Sequence, residues 1–197
     1  MTWPLLLLLA VLYLGGLVWI RRKKWYLRAF VWGAFGQAYL FLQVGLLLGL
    51  AGHLAAWEAQ HLQALFRLAG VEIQVFEEAT LLVPDDQGWT SMTIGIESST
   101  LIEMTVCSGL VLHYPGLSRR RRGASLLAGI GFTYLLNLLR LAIIILIVLI
   151  WGRSAFVIAH ALIGRLIYFA GVLALYWYLL TRPTVRRVQQ SVRERDV

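Results

Sequence analysis

Three side chains here are of the types that perform acyl transfer: the single cysteine Cys107, Arg140 and His160. A thiol attacks as its thiolate, whose pKa of about 8.5 falls beside a cation or a helix N-terminus. A histidine takes that proton and returns it to a leaving amine. Arginine does not deprotonate, so it offers a fixed positive charge to a thiolate, an oxyanion or a substrate carboxylate. Hydrolysis and transfer to an amine would both pass through a thioester.

Spacing adds supporting groups. Asn137 and Arg140 stand at i and i+3, so on a helix both address one neighbour. His160 and Gly164 stand at i and i+4, and the glycine admits another helix beside the histidine. Glu103 precedes Cys107 by four residues, which lets it neutralise Arg140 or Arg165 while Cys107 faces the same cleft. Each residue also has a plain reading. A lone membrane cysteine is usually a small buried hydrophobe, an arginine near a helix end snorkels, and a histidine can merely bond a neighbouring helix. His53, His61 and His113 read as interfacial or structural.

The elements that position these groups belong to a bilayer. Of 197 residues, 59% are hydrophobic and 14% charged, far from a soluble domain. The net charge of +8 does not point to nucleic acid, because most basic residues stand in short clusters beside apolar runs. Five such runs, about 3–20, 29–52, 99–117, 124–151 and 156–181, are long enough or nearly so to cross a hydrocarbon core of about 30 Å. The expected fold is a single all-α polytopic membrane domain over 1–197 with five transmembrane helices. If the runs cross alternately, 14 of the 18 basic residues fall on one side: Arg21–Arg28, Arg119–Arg122 and the tail 182–197. The other side receives 53–98, with seven of the ten acidic residues. That asymmetry predicts a plasma-membrane protein with its N-terminus outside and its C-terminus in the cytoplasm. The N-terminal run carries its positive charge after the apolar core, so it reads as a retained helix and not a cleaved signal.

Within the outer loop, "PDDQG" is a turn signal, and Met92, Ile94 and Ile96 alternate with polar or small residues. This predicts a small extracytoplasmic β-hairpin leading into the cysteine helix. Residues 53–70 predict an amphipathic helix in the headgroup region, with Trp57 and Phe66 anchoring its apolar side.

Depth is what links the ionisable residues, each of which is costly inside a span. At a 1.5 Å rise, Cys107 lies roughly 18 Å from Arg119, Arg140 roughly 27 Å from Arg122 and His160 roughly 33 Å from Arg182. On that count all three fall in the outer half of the bilayer, on three helices.

Taken together, Cys107-Ser108-Gly109, the N-x-x-R of Asn137 and Arg140, and His160 on a later helix resemble the exosortase/archaeosortase family. The resemblance covers roughly 72–181 and includes the strand-like sequence before the cysteine and the basic loop after it. It implies a compact member of a family of membrane cysteine transpeptidases that needs neither cofactor nor metal. It further implies substrates with a C-terminal tail of short motif, hydrophobic helix and basic end, and a link to exopolysaccharide or surface-layer export. Cys107 would then cleave near the outer face, His160 act as acid/base and Arg140 assist the transition state.

Two other classes compete. One is a non-enzymatic assembly or export component, whose Arg140, Glu103 and Asn137 hold helices together through bonds of about 1 kcal/mol each. The other is a lipid or polyprenyl-phosphate enzyme with Arg140 and Arg165 on the phosphate. It would require acidic metal ligands, and Glu103 reads as the only carboxylate within a span. A metalloprotease lacks an HExxH motif or a histidine pair at ligand spacing.

Overall fold

The computed structural model describes residues 2–77, 79–85 and 88–193, leaving out the side chains of 187–188 and 191–192. The helices are α1 (Trp3–Arg22), α2 (Tyr26–Leu47), α3 (Leu50–Leu68), α4 (Leu101–His113) and α5 (Arg119–Trp151). They continue as α6 (Phe156–Ile158), α7 (Gly164–Tyr176) and α8 (Arg182–Arg193), joined by π-helical turns at Ala159–Ile163 and Trp177–Thr181. Three strands, β1 (Gln74–Phe76), β2 (Thr80–Asp85) and β3 (Gly88–Thr93), lie between α3 and α4. Among the described residues, four helical stretches are long and apolar enough to cross a membrane: Trp3–Arg22, Tyr26–Leu47, Arg119–Trp151 and Arg153–Arg186. The architecture is that of an all-α membrane protein carrying one small antiparallel sheet.

Local chemistry sets the ends of these helices. Pro4 stands in the first turn of α1, where its missing N–H costs nothing. Arg21 and Arg22 close α1, where cations suit the helix dipole. Gly49, at φ 68°, takes the left-handed turn that separates α2 from α3. The apolar run 99–117 becomes helical only over Leu101–His113, because Pro115 disfavours helix at the residue before it. Thirteen residues span about 20 Å, short of a full crossing.

The chain forms two compact units. The first comprises Met1–Val44, Glu103–Phe132 and Val172–Val197. Its helices approach through small residues, as expected where no hydrophobic effect drives association in lipid. A Cβ on Gly33 would lie 2.6 Å from the His113 ring, and one on Gly16 2.9 Å from Trp32. Gly109 sits directly against the carbonyl of Ala34. Polar bonds lock these crossings. The Tyr13 hydroxyl donates to the Gly33 carbonyl at 3.2 Å and lies 3.0 Å from His113 Nε2. Trp32 Nε1 donates to the Tyr13 carbonyl at 3.0 Å. His113 therefore has a structural role. Arg119–Arg122 form the first turn of α5, with cations at the unfavourable end of its dipole. Arg122 offsets this locally by donating to the carbonyls of Tyr114 and Leu117 at 3.2 and 3.3 Å.

The second unit comprises Gly45–Ile102 and Thr133–Gly171. Its core joins Ala55, Ala59, Leu62 and Phe66 of α3 to Leu81, Val83 and Met92 of the sheet and to Leu141, Ile144, Ile145 and Val148 of α5. The strands run in the order β1-β2-β3, all antiparallel. The expected hairpin is therefore the β2–β3 part of a three-stranded sheet. Asp85 pairs with Gly88 across the predicted turn, whose Asp86 and Gln87 lie outside the described residues. Met92 and Ile94 are buried as the alternation requires, but Ile96 is exposed, because the strand ends at Thr93 and a 3₁₀ turn follows. The anchoring of α3 also differs from expectation: Phe66 is buried and Trp57 is 57% exposed. Nine residues apart on a helix of 3.6 residues per turn, the two point in opposite directions.

Candidate functional site

Asn137 and Arg140 stand on the part of α5 that belongs to the second unit. Both are buried, and both reach the backbone carbonyl of Ser98: Asn137 Nδ2 at 2.6 Å and an Arg140 terminal nitrogen at 3.5 Å. The i, i+3 spacing thus brings them to one acceptor. Asn137 Nδ2 also donates to Glu58 Oε1 at 2.9 Å, and Thr100 Oγ1 donates to the same oxygen at 2.7 Å. Glu58 is 0% exposed.

This carboxylate escapes the sequence reading. It lies in the buried stripe Ala55, Glu58, Ala59, Leu62, Phe66 of α3, at helical spacing, where an apolar residue is expected. A charged residue in such a stripe was the available signal, because buried carboxylates are rare unless hydrogen-bonded or paired. Thr100 is unusual as well. It holds φ 50°, a left-handed conformation that a β-branched residue adopts only when its surroundings impose it. Its bond to Glu58 is part of what imposes it.

His160 sits in the first π-helical turn, Ala159–Ile163. Turns of this kind are often found at functional sites. His160, Gly164 and Tyr168 follow at four-residue steps, and Arg140 packs against this face. A Cβ on Gly164 would lie 2.9 Å from Ile144 Cδ1 and 3.3 Å from Arg140 Cγ, so the glycine is what lets α5 come so near. The Arg140 guanidinium lies 4.9 Å from the Tyr168 ring centre, a cation–π contact. Tyr168 is a second residue not found from sequence. The His160 ring stacks on Phe156 at 5.7 Å, and its Nδ1 is buried with no hydrogen-bond partner among the described residues. Arg165 is exposed.

Glu103, Cys107, Ser108 and Gly109 belong to the first unit, on α4. Cys107 is 0% exposed and packs with Val111, Leu117 and Leu175. Its Sγ fills the place a side chain would take at Gly129, where a Cβ would lie 2.6 Å away. The Ser108 hydroxyl donates to the Thr105 carbonyl at 2.8 Å, within its own helix. Glu103 is half-buried in the first turn of α4, where an acid suits the dipole. The depth estimate for Cys107 assumed helix from there to Arg119. The helix stops at His113, so only about 9 Å of that path is helical rise.

Among the described residues, no group of three or more His, Cys, Asp or Glu side chains converges on a point that could hold a metal ion. Compared with known proteins, the chain matches no family model, no curated protein and no solved structure.

Proposed function

We propose that this protein is a membrane-embedded cysteine peptidase or transpeptidase of the exosortase type, acting on tailed proteins of the cell surface. The Cys107 thiolate attacks the scissile carbonyl, and a thioester forms as the peptide C–N bond breaks. His160 returns the proton to the leaving amine. Water or an acceptor amine then resolves the thioester and frees the thiol. Arg140 supplies fixed positive charge to the thiolate or to the oxyanion. In this reading five segments cross the plasma membrane, α4 being the short one, with the N-terminus outside and the basic tail in the cytoplasm.

The observation that carries the reading is Arg140 packed on the helix face of His160, Gly164 and Tyr168. A buried cation is thereby set beside a histidine whose Nδ1 has no hydrogen-bond partner among the described residues. Both groups are costly within a span.

A second reading rests on a different observation. Cys107 is fully buried in an apolar cluster, the usual setting of an inert structural cysteine. In that case the chain is a non-enzymatic assembly or export component.

The deciding experiment compares the C-termini of membrane proteins, by mass spectrometry, in cells carrying native protein or Cys107→Ala. Loss of processing of a tailed protein supports the enzyme, and the cleaved junction gives its motif. Unchanged C-termini on proteins shown to be expressed support the assembly component.

A further inference from the structure

A groove of about 820 Å³ runs between α1 and α2, within the first unit. Leu9, Tyr13 and Ile20 line it from α1, and Arg28, Phe35 and Leu40 from α2. Gly36 lies under the Tyr13 ring, which packs directly on the α2 backbone there and forms part of the wall. Every other lining side chain is apolar or aromatic, so Arg28 is the groove's single charge. It sits at one end, with its guanidinium 4.3 Å from the Trp25 ring centre and its side chain exposed. A cation–π contact fixes the direction of the group without consuming its hydrogen-bond donors. Arg21 and Arg22 at the end of α1 and Lys23 and Lys24 in the turn that follows make this end strongly positive.

Length and charge choose the occupant. From Arg28 to Leu40 the groove follows α2 for about 18 Å, close to one leaflet of a hydrocarbon core about 30 Å thick. A purely apolar partner helix would cover the walls but give Arg28 no counter-charge. The hydrophobic tail of a secretory substrate with a basic end would also be repelled at Arg28. An acyl lipid with a negative headgroup fits both dimensions: chains along the apolar walls, phosphate at the positive end.

We propose that the α1–α2 groove is a binding site for one anionic diacyl phospholipid, with its phosphate on Arg28. This assignment is independent of the peptidase reading. The Tyr13–Gly33 and Trp32–Tyr13 hydrogen bonds join the two helices that form the groove walls.

The test uses the full chain in phosphatidylcholine nanodiscs doped with phosphatidylglycerol bearing a photoreactive acyl chain. Adducts are mapped by peptide mass spectrometry. The expected result is labelling concentrated on the groove residues, competed by unlabelled phosphatidylglycerol at least fivefold better than by phosphatidylcholine. Arg28→Gln should lower that preference about fivefold, the weight of one charge near the headgroups, while Arg28→Lys keeps most of it. Val31→Trp, which fills the groove from an exposed position, should reduce groove labelling in protein that still elutes as folded. Three results would overturn the proposal: adducts spread evenly over the lipid-facing helices, equal competition by the two lipids, or crosslinks from the groove to a second protein chain.

Discussion

Asn137 Nδ2 lies 2.9 Å from Glu58 Oε1 and 2.6 Å from the Ser98 carbonyl, so one amide on α5 ties α3 to the segment entering α4. Both amide hydrogens are used, and the accepting carboxylate is fully buried. In a buried network of this kind, stranding a donor or acceptor is costly.

Glu58→Ala removes the acceptor of both Asn137 and Thr100 and strands two buried donors. At about 1–3 kcal/mol for each unsatisfied group, the variant should lose about 2–6 kcal/mol, read as a fall in thermal midpoint in detergent. Glu58→Gln keeps one carbonyl oxygen for the two donors and should retain clearly more than half of what Ala loses. Equal losses for Gln and Ala would mean that the carboxylate's charge, and not its acceptor geometry, holds the site.

Thr100 separates strain from bonding. Thr100→Val keeps the strained φ of 50° and deletes the hydroxyl that reaches Glu58, so it should cost about 1–3 kcal/mol. Thr100→Gly also deletes the hydroxyl but relieves the backbone, where positive φ costs about 1–3 kcal/mol for such a residue. Glycine should therefore be the milder change, although it is ordinarily the worse one beside a helix. Denaturation of the two variants ranks them, and valine proving milder would show that no strain is held there.

Much of the fold was legible because lipid imposes a coarse code. Long apolar runs bounded by arginines gave the helices at both ends of the chain, and the turn between Val83 and Trp89 gave β2 and β3. What escaped depended on single positions. Pro115 cut the cysteine helix short inside an apolar run, and β1 is only three residues long. The site divided the same way. Asn137 and Arg140 were readable because N-x-x-R places two polar groups on one face of an apolar helix. Glu58 was not, because α3 is amphipathic with many polar residues, and only its register shows that this one faces inward. Tyr168 is an ordinary aromatic until Arg140 is seen against its ring.

Gly164→Ala should disturb both structure and function. The added methyl meets Ile144 Cδ1 at 2.9 Å, the Ala159 carbonyl at 3.1 Å and Arg140 Cγ at 3.3 Å. Overpacking of this kind costs about 1–3 kcal/mol. Processing of tailed proteins, per folded molecule, should fall at least tenfold if Arg140 acts from this position. Tyr168→Leu keeps the glycine at the helix approach and removes the cation–π face, worth about 0.5–2 kcal/mol, so its effect on processing per folded molecule should be smaller. Full processing in Gly164→Ala, with the destabilisation present, would detach Arg140 from the chemistry.

The two roles open to Cys107 make different predictions. Gly129→Ala puts a methyl 2.6 Å from Sγ and should cost about 1–3 kcal/mol. In a Cys107→Ala background that space is empty, so the same change should cost at least about 1 kcal/mol less, a coupling within the range for touching residues. Denaturation of the four proteins measures it, and a vanishing coupling would mean that Sγ does not fill this space. Packing and catalysis then separate in Cys107→Ser. Serine preserves the shape, costs about 1–3 kcal/mol for a buried hydroxyl, and is a far weaker nucleophile without further activation. Processing should drop to background in folded Cys107→Ser and persist in Gly129→Ala, which keeps the thiol. If the serine variant processes normally, the thiol is a filler for Gly129 and the nucleophile must be sought elsewhere.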